Sequence, residues 1–477
     1  ILILLLFIIN YNCFSQSESV KITVIFDSSP TVANISKAKL KYNKTFAYSF
    51  TLDDGRKDSY LVAFPFFNGG QIELTGITYP GLYYTDGCGN SIPFKAGLAM
   101  TSVNQSGNDS HVNSTINISW DQLKEMYDSG WDVFNHSYSH SVGAGTNYDF
   151  EISENAKYIK LKTGIDVMHF VVPGGDASYV ESAFNWGAKA VYAQNGFPGV
   201  NGFPVDSEID LNKFGLQRYF LNDSRHNPEN ITVKIDQVDA NSNEENHLWY
   251  NEFTHKITGT STGDLSFSTF EFYMNYIHDK FGRPGTDRIW MAPLQEVYEY
   301  LVVRDKTKFS YTINENSMEI NVDFSDVPSD LRRYALSFIV DSDTDIAAVE
   351  VREHTHLSFN ETGEKKLINV EWNYFPASVV NSYTTSIERG CLSDIDHLYP
   401  NPIFENKIKF DLDKKEFLQF NLYDRYGRRL RLNENVFNDN NGVQLDFEYL
   451  NLQPGLYYLE IISEKEKCSR FLEFIKY

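Results

Sequence analysis

Residues 49–55, Ser-Phe-Thr-Leu-Asp-Asp-Gly, form an apolar run that ends in two adjacent carboxylates and a glycine. Neighbouring side chains of a β-strand point to opposite faces, so Asp53 and Asp54 can share one site only where the strand stops and the backbone turns. Gly55 permits that turn. The stretch predicts a buried strand with two acidic side chains at its carboxyl end, although an ordinary turn after a core strand has the same pattern.

A histidine pair, His136 and His140, lies in residues 130–140, Gly-Trp-Asp-Val-Phe-Asn-His-Ser-Tyr-Ser-His. Histidines four apart lie on one face of a helical turn, and that spacing lets both imidazoles reach one metal ion. The pair follows a predicted amphipathic helix over Trp120–Asp128, which Gly130 ends. Two histidines and one carboxylate leave positions open for water and substrate on a metal. The alternative interpretation is two unrelated polar histidines.

Together the two stretches resemble the first two motifs of the polysaccharide deacetylase (NodB-like) family, the carbohydrate esterases of family four. The resemblance covers residues 42–305 and implies a distorted (β/α) barrel. It also implies a divalent metal held by Asp54, His136 and His140, with Asp53 as the general base. Zn²⁺ is the expected metal, and Co²⁺ and Ni²⁺ are alternatives.

The third family motif is only partly present. Residues 170–175, Phe-Val-Val-Pro-Gly-Gly, match its turn, but Val171 stands where the family has an arginine that holds the base aspartate. Arg56, Lys57 and His169 are the candidate substitutes within the nearby sequence, and a cation from elsewhere in the site is a further alternative.

The remaining candidate site residues come from three separate stretches. His255 resembles the family histidine that closes a late strand and acts as general acid, although a lone histidine among aromatic residues is also typical of a core. The amide of Gly174 or Gly175 is expected to stabilise an oxyanion. Tyr83 and Tyr84 lie in a long Gly-, Asn-, Ser- and Tyr-rich segment. They are candidates for a sugar groove, or else they pack that segment against itself.

Helix and strand patterns alternate through the central part of the chain, which predicts an α/β domain with parallel strands and its site at their carboxyl ends. The predicted helices cover residues 148–163, 181–186, 267–280 and 295–301, and the predicted strands cover residues 42–52, 167–172 and 188–193. Residues 306–375 instead alternate between apolar and polar side chains, which predicts a small β-sandwich. A carbohydrate-binding module and an inert spacer are both consistent with that pattern.

The two ends of the chain resemble export signals. The apolar residues 1–9 are typical of the tail of a secretory signal, so we assign residues 1–15 to a signal peptide and residues 16–41 to an N-terminal extension. Residues 376–393 are predicted to be a linker. Residues 394–477 are similar to the C-terminal sorting domain of type IX secretion cargo, through Leu-Tyr-Pro-Asn-Pro, Leu-Tyr-Asp-Arg-Tyr-Gly and Leu-Asn-Leu-Gln-Pro-Gly-Leu-Tyr-Tyr in that order. Another β-sandwich is the alternative.

Composition agrees with an exported protein of several domains. The chain has 42% hydrophobic residues and a formal net charge of −22, and this acidity argues against nucleic acid and anionic membrane surfaces as partners. No transmembrane span is predicted in the mature protein. Because Cys13 lies in the predicted signal, Cys88, Cys391 and Cys468 can form at most one disulfide, and no cysteine cluster indicates a structural zinc site.

These features predict a secreted or cell-surface, metal-dependent hydrolase that removes acetyl groups from a polysaccharide. Its expected partners are an acetylated polysaccharide or oligosaccharide and the secretion machinery. The pattern does not distinguish N-acetyl from O-acetyl groups, or one glycan from another. The rival hypothesis is a catalytically silent carbohydrate-binding protein that keeps the fold, and the missing arginine favours it.

Overall fold

The computed structural model describes residues 19–376, apart from residues 207, 211, 212, 260, 262, 353, 364 and 374. Beyond residue 376 it describes Leu452 and a set of strands. The predicted signal peptide, residues 1–15, lies outside the described residues, as does most of the predicted linker. Within the described residues, no helix is both long enough and apolar enough to cross a membrane.

A parallel sheet forms the centre of the structure, and its first strand, Phe46–Asp53, is buried at every position. Burial on both faces explains why this stretch is continuously apolar until it reaches the carboxylates. We number the barrel strands in chain order. The second to the eighth are Gly97–Met100, Asp132–Asn135, His169–Val171, Ala190–Ala193, Phe214–Gln217 with its continuation Tyr219–Phe220, Leu248–Thr254 and Ile289–Met291.

The sheet closes on itself. The first to the sixth strand pair in parallel in chain order, and the seventh pairs with the first. The sixth strand changes neighbours at Arg218, because Phe214–Gln217 pairs with the fifth strand whereas Tyr219–Phe220 pairs with the seventh. The eighth strand pairs with the first three residues of the first strand. The predicted distorted (β/α) barrel is therefore confirmed.

Helices connect most of the barrel strands, and their ends follow local sequence signals. Ser119 and Gln122 form a capping box at the first residues of Trp120–Asp128, and Gly164 ends Tyr148–Thr163 in a left-handed conformation. The eighth strand, Ile289–Met291, precedes the final helix of the barrel. The other helices are Ser59–Ala63 (π-helical), Phe64–Asn68, Tyr179–Trp186, Val233–Asn241, Phe267–Phe281 and Leu294–Lys306.

A β-sandwich includes strands from both sides of the barrel in sequence. Its first sheet has the order Lys308–Asn314, Ser317–Asp323, Ser19–Phe26, Ile346–Arg352 and Thr384–Glu388, and its second has the order Ala33–Lys37, Tyr334–Ser342, Lys365–Trp372 and His356–Phe359. The segment interpreted from sequence as an N-terminal extension thus supplies one strand to each sheet.

Further strands lie outside the barrel and the sandwich. Two short hairpins follow the first helices, formed by Gly70–Ile72 with Ile77–Tyr79 and by Tyr83–Thr85 with Ser91–Pro93. The C-terminal region contains antiparallel strands at Lys407–Phe410, Leu418–Asp424, Arg429–Leu430, Val436–Asp439, Gly442–Asp446, Gly455–Ser463 and Cys468–Lys476.

The sandwich contacts the amino end of the barrel through buried charges. Asp132 begins the third strand, and its Oδ1 lies 2.6 Å from Arg332 Nη1 and 2.8 Å from Arg333 Nη2. Arg333 Nη1 also donates to Oδ2 of the same carboxylate at 3.1 Å. Both oxygens of this fully buried aspartate are therefore paired with cations from the sandwich.

Candidate active site

Three potential metal ligands meet at the carboxyl end of the barrel. Asp54 follows the first strand, and its Oδ1 lies 3.7 Å from Nε2 of both His136 and His140, which follow the third strand. One ligand atom from each residue lies within 4.8 Å of the others. Asp54 Oδ1 and His136 Nε2 are buried without a hydrogen-bond partner among the described residues. Two imidazole nitrogens and one carboxylate oxygen fit a divalent cation such as zinc.

The two histidines are brought together by a loop. The prediction of a helical turn here is wrong, because Ser137 and His140 have left-handed backbone angles, with φ of 67° and 57°. The loop is held by its own hydrogen bonds: Ser137 N donates to Asn135 Oδ1 and His140 N donates to Ser137 Oγ, each at 3.1 Å. Asp54 also has a positive φ, of 68°. A positive φ is uncommon in residues other than glycine, and such conformations cluster at functional sites.

His136 is oriented by a main-chain carbonyl. Its Nδ1 lies 2.8 Å from the carbonyl oxygen of Val171, so Nδ1 donates and Nε2 keeps its lone pair towards Asp54. Burial lowers the pKa of His136 to about 4, which keeps the ring neutral at physiological pH. A neutral imidazole with a fixed tautomer is the form that binds a metal.

Asp53 is paired with an arginine from another part of the chain. Arg218 Nη1 and Nη2 donate to the two oxygens of Asp53, each at 2.9 Å, and both side chains are almost completely buried. The guanidinium carbon also lies 4.0 Å from the centre of the Phe253 ring. Such a two-point contact fixes the orientation of the carboxylate and gives it a counter-charge.

None of the three substitutes named from sequence makes this contact. Arg56 donates to Asp54 Oδ2 at 2.9 Å, Lys57 Nζ lies 3.4 Å from a main-chain carbonyl, and His169 Nδ1 lies 2.9 Å from the hydroxyl of Tyr192. Arg218 was missed, although an arginine inside the apolar run of residues 214–221 was a usable signal. A charge at a buried position requires a partner of opposite charge.

The charge of Asp54 is set by several groups around it. Burial raises the pKa of this carboxyl, but the nearby histidines and Arg56 lower it below its ordinary value. Those histidines are His136, His255 and His140. Asp54 is thus ionised at neutral pH, with one oxygen held by Arg56 and the other directed to the two histidine ligands.

Comparisons with known proteins agree with this geometry. A polysaccharide deacetylase family profile matches residues 46–194, which include Asp53, Asp54, His136 and His140. The chain contains a polysaccharide deacetylase domain. A secretion system C-terminal sorting domain matches residues 397–473 and indicates type IX secretion and a secreted or cell-surface location. No curated protein matches the chain.

Solved structures similar to the chain include several deacetylases. The Streptococcus pyogenes deacetylase PplD in complex with acetate is 19% identical over 36% of this chain and 63% of that one, with a TM-score of 0.24. The peptidoglycan deacetylase PdaC from Bacillus subtilis is 12% identical over 54% and 92%, with a TM-score of 0.29. A CE4 family pseudoenzyme is 13% identical over 54% and 68%, with a TM-score of 0.27.

His255 and the two glycines also lie at the carboxyl end of the deacetylase barrel. His255 follows directly after the seventh strand, its ring centre lies 5.1 Å from that of Phe220, and it contributes to the lowered pKa of Asp54. Gly174 has a φ of 57°, and a Cβ there would lie 3.9 Å from Cε1 of His140. Gly175 follows it in the same turn after the fourth strand.

Tyr83 and Tyr84 are not brought to this site. Tyr84 is 1% exposed, so its ring is not available for stacking on a sugar. The neighbouring Thr85 donates its N–H to Asp287, which precedes the eighth strand, and Lys44 lies over the Tyr84 ring just before the first strand. Both contacts are at the amino end of the barrel, opposite the carboxylates, so we leave the two tyrosines out of the proposed site.

Proposed function

We propose that the protein is a secreted, metal-dependent hydrolase that removes acetyl groups from a polysaccharide. The observation that carries the proposal is the convergence of Asp54, His136 and His140 beside an arginine-paired Asp53. The deacetylase and sorting domains support an acetylated glycan as the substrate and a location outside the cell.

Asp54, His136 and His140 would hold the cation, which we expect to be Zn²⁺. When bound, such an ion lowers the pKa of a water molecule and polarises a carbonyl oxygen. The buried, unpartnered Asp54 Oδ1 and His136 Nε2 are the atoms that gain most from an ion, since they have no other partner among the described residues.

The other site residues would handle protons and charge. Asp53, held by Arg218, would take a proton from the attacking water while the oxygen of that water bonds to the acetyl carbon. An amide from Gly174 or Gly175 would donate to the oxyanion that develops on the carbonyl. His255 would then give a proton to the sugar nitrogen or oxygen as its bond to the acetyl carbon breaks. The products are acetate and a deacetylated sugar.

The rival hypothesis of a silent carbohydrate-binding protein loses its main support. It was favoured by the absence of an arginine at the position of Val171. Arg218 now provides an equivalent cation for Asp53, so the base aspartate does not lack its partner.

The test is acetate release from a panel of acetylated glycans that includes peptidoglycan, chitin oligosaccharides and xylan. We expect release from at least one glycan, its loss after chelation, and its recovery when Zn²⁺ is restored. Binding of a glycan by the zinc-loaded protein, without acetate release from any member of the panel, would overturn the proposal in favour of the silent protein.

A further inference from the structure

A second buried carboxylate joins two loops of the proposed site. Asp58 lies four residues after Asp54 in the loop that follows the first strand, and it is 9% exposed. Its Oδ2 accepts the N–H of Ile257 at 2.7 Å and the N–H of Thr258 at 3.2 Å. The hydroxyl of Thr258 lies 3.3 Å from the same oxygen. These acceptor contacts connect the loop of the two carboxylates to the loop of His255.

The arrangement is a costly one for a purely structural connection. Asp58 Oδ1 is buried and has no hydrogen-bond partner among the described residues. Burial raises the pKa of Asp58, and the two main-chain donors only partly offset that effect. Leaving one oxygen of a buried carboxylate unsatisfied costs free energy, so the contact stabilises the fold less than a fully paired acid would.

Both partners of this contact lie close in sequence to residues of the proposed site. Ile257 is two residues from His255, and Asp58 is four residues from Asp54. A carboxylate that accepts two consecutive main-chain N–H groups limits both the position and the rotation of their loop. Displacing the loop of His255 would therefore require breaking these bonds or moving the residues that follow Asp54.

We propose that Asp58 is a positioning residue, which holds the loop of His255 at the distance from Asp53 and Asp54 that proton transfer to the leaving group requires. The inference rests on the proposed function, and it adds a role for a residue outside the metal, base and acid set. Asp58 acts only through His255 and contacts neither the substrate nor the metal in this scheme.

This role predicts a dependence on the leaving group. When the acetyl carbon loses a sugar nitrogen or oxygen, the electron pair of the broken bond stays on that atom, which must gain a proton from the acid. A 4-nitrophenolate ion is stable without a proton, so hydrolysis of 4-nitrophenyl acetate needs the water and its base but not the acid. Loss of acid positioning should therefore slow deacetylation of a glycan and spare the aryl ester.

The experiment compares Asp58→Ala, Asp58→Asn and His255→Gln with the wild type, each loaded with zinc. Both the glycan that the wild type deacetylates best and 4-nitrophenyl acetate are assayed. We expect Asp58→Ala to lower kcat on the glycan by roughly 10²-fold, at the lower end of a general-acid contribution. Asp58→Asn keeps an acceptor oxygen and should lose less. Activity on the aryl ester should change by less than about twofold in either variant, and zinc content should be unchanged.

Asp343→Asn is the matched control, because Asp343 also accepts two consecutive main-chain N–H groups, from Thr31 and Val32, but lies in the sandwich. It should leave both activities unchanged. Adding Asp58→Asn to His255→Gln should cause no further loss on the glycan, since both changes affect one proton transfer. This pair of variants also provides the test if Asp58→Ala does not fold.

Two results would overturn the inference while leaving the proposed function intact. One is an equal loss on both substrates, or a loss of zinc, in the Asp58 variants, because Asp58 would then support the carboxylate loop. The other is an unchanged kcat on the glycan. If His255→Gln affects the two substrates equally, the assignment of His255 as the acid fails, and the role of Asp58 fails with it.

Discussion

The two ends of the barrel differ in whether their buried acids are paired. At the amino end, both oxygens of Asp132 are paired with Arg332 and Arg333. At the carboxyl end, Asp54 Oδ1 and His136 Nε2 are buried and have no hydrogen-bond partner in the described part of the chain. A satisfied buried charge joins two domains, whereas unsatisfied ligand atoms that converge on one point indicate a site for something the chain itself does not supply.

Asp53 lies at the carboxyl end but is paired like an acid of the amino end. Its bidentate contact with Arg218 is as complete as that of Asp132 with the sandwich. A metal ligand must keep an oxygen free for the ion, whereas a base must be held ionised and correctly oriented. The difference between Asp53 and Asp54 therefore supports the division of roles proposed for these adjacent residues.

The largest expected effect on activity comes from the three potential metal ligands at the carboxyl end of the barrel. Replacing Asp54, His136 or His140 with alanine should remove bound zinc and lower kcat/KM by at least about 10³-fold, because each change removes one of three protein ligands. Asp53→Asn is the matched control and should keep zinc while losing turnover. Elemental analysis and acetate release measure the two quantities. Equal zinc loss in all four variants would mean that the roles of the two carboxylates are misassigned.

The second prediction concerns the paired aspartate at the amino end of the barrel. Asp132→Ala should lower the free energy of unfolding by roughly 3 kcal/mol, the lower end of the cost of breaking a buried ion pair. Two half-buried arginines lose this anion, although Arg333 keeps Glu296 and Glu299 at 3.9 and 3.7 Å. Zinc content and kcat per folded molecule should not change. Denaturant unfolding with and without the substitution gives the comparison. A loss of activity in fully folded Asp132→Ala protein would contradict the separation of the two ends.

The third prediction concerns Asp53, which lies at the carboxyl end of the barrel but is paired with Arg218, and Arg218→Gln tests that pairing. It should keep zinc and lower kcat/KM at neutral pH by roughly 10²-fold, since the base loses both its orientation and its counter-charge. Arg218→Lys keeps the charge without the two-point contact and should fall between. An unchanged kcat/KM in Arg218→Gln would show that turnover does not depend on the pairing of Asp53 with Arg218.

The smallest expected effect concerns an acid between the two ends. Glu252 accepts hydrogen bonds from Tyr48, Tyr250 and Tyr273 at 2.7 to 2.9 Å, and burial raises its pKa to about 7. Between its ordinary pKa and pH 7 the folded protein keeps a proton that the unfolded chain has released. This group therefore lowers stability as pH rises through that window, by up to about 3 kcal/mol.

Glu252→Gln should remove that part of the pH dependence. Denaturant unfolding at several values between pH 4.5 and 7 compares the slope with that of the wild type. The same slope in both proteins would show that Glu252 titrates normally.

The features that could be predicted from sequence are the local ones. The apolar run before Asp53 and Asp54 predicted a buried strand with its carboxylates at the site end, and both residues lie there. The spacing of His136 and His140 predicted that they converge, but it suggested a helical turn. A left-handed backbone at Ser137 and His140 depends on the surrounding bonds, and residue spacing does not encode it.

The features that could not be predicted depend on contacts between residues that are far apart in the sequence. Arg218 reaches Asp53 across 165 positions, because the barrel closes between its sixth and first strands through the seventh. Tyr83 and Tyr84 were assigned from composition, which does not say at which end of the barrel a segment packs.

The position of Ser19–Phe26 in the middle of the sandwich sheet has a consequence for how the chain folds. Its neighbours, Ser317–Asp323 and Ile346–Arg352, lie some 300 residues later, so its pairing has a high contact order. The strand leaves the ribosome long before its partners exist, and the whole deacetylase barrel must be synthesised between them. Until those partners are made, both edges of this strand are unpaired, and an unpaired strand edge can pair with another chain.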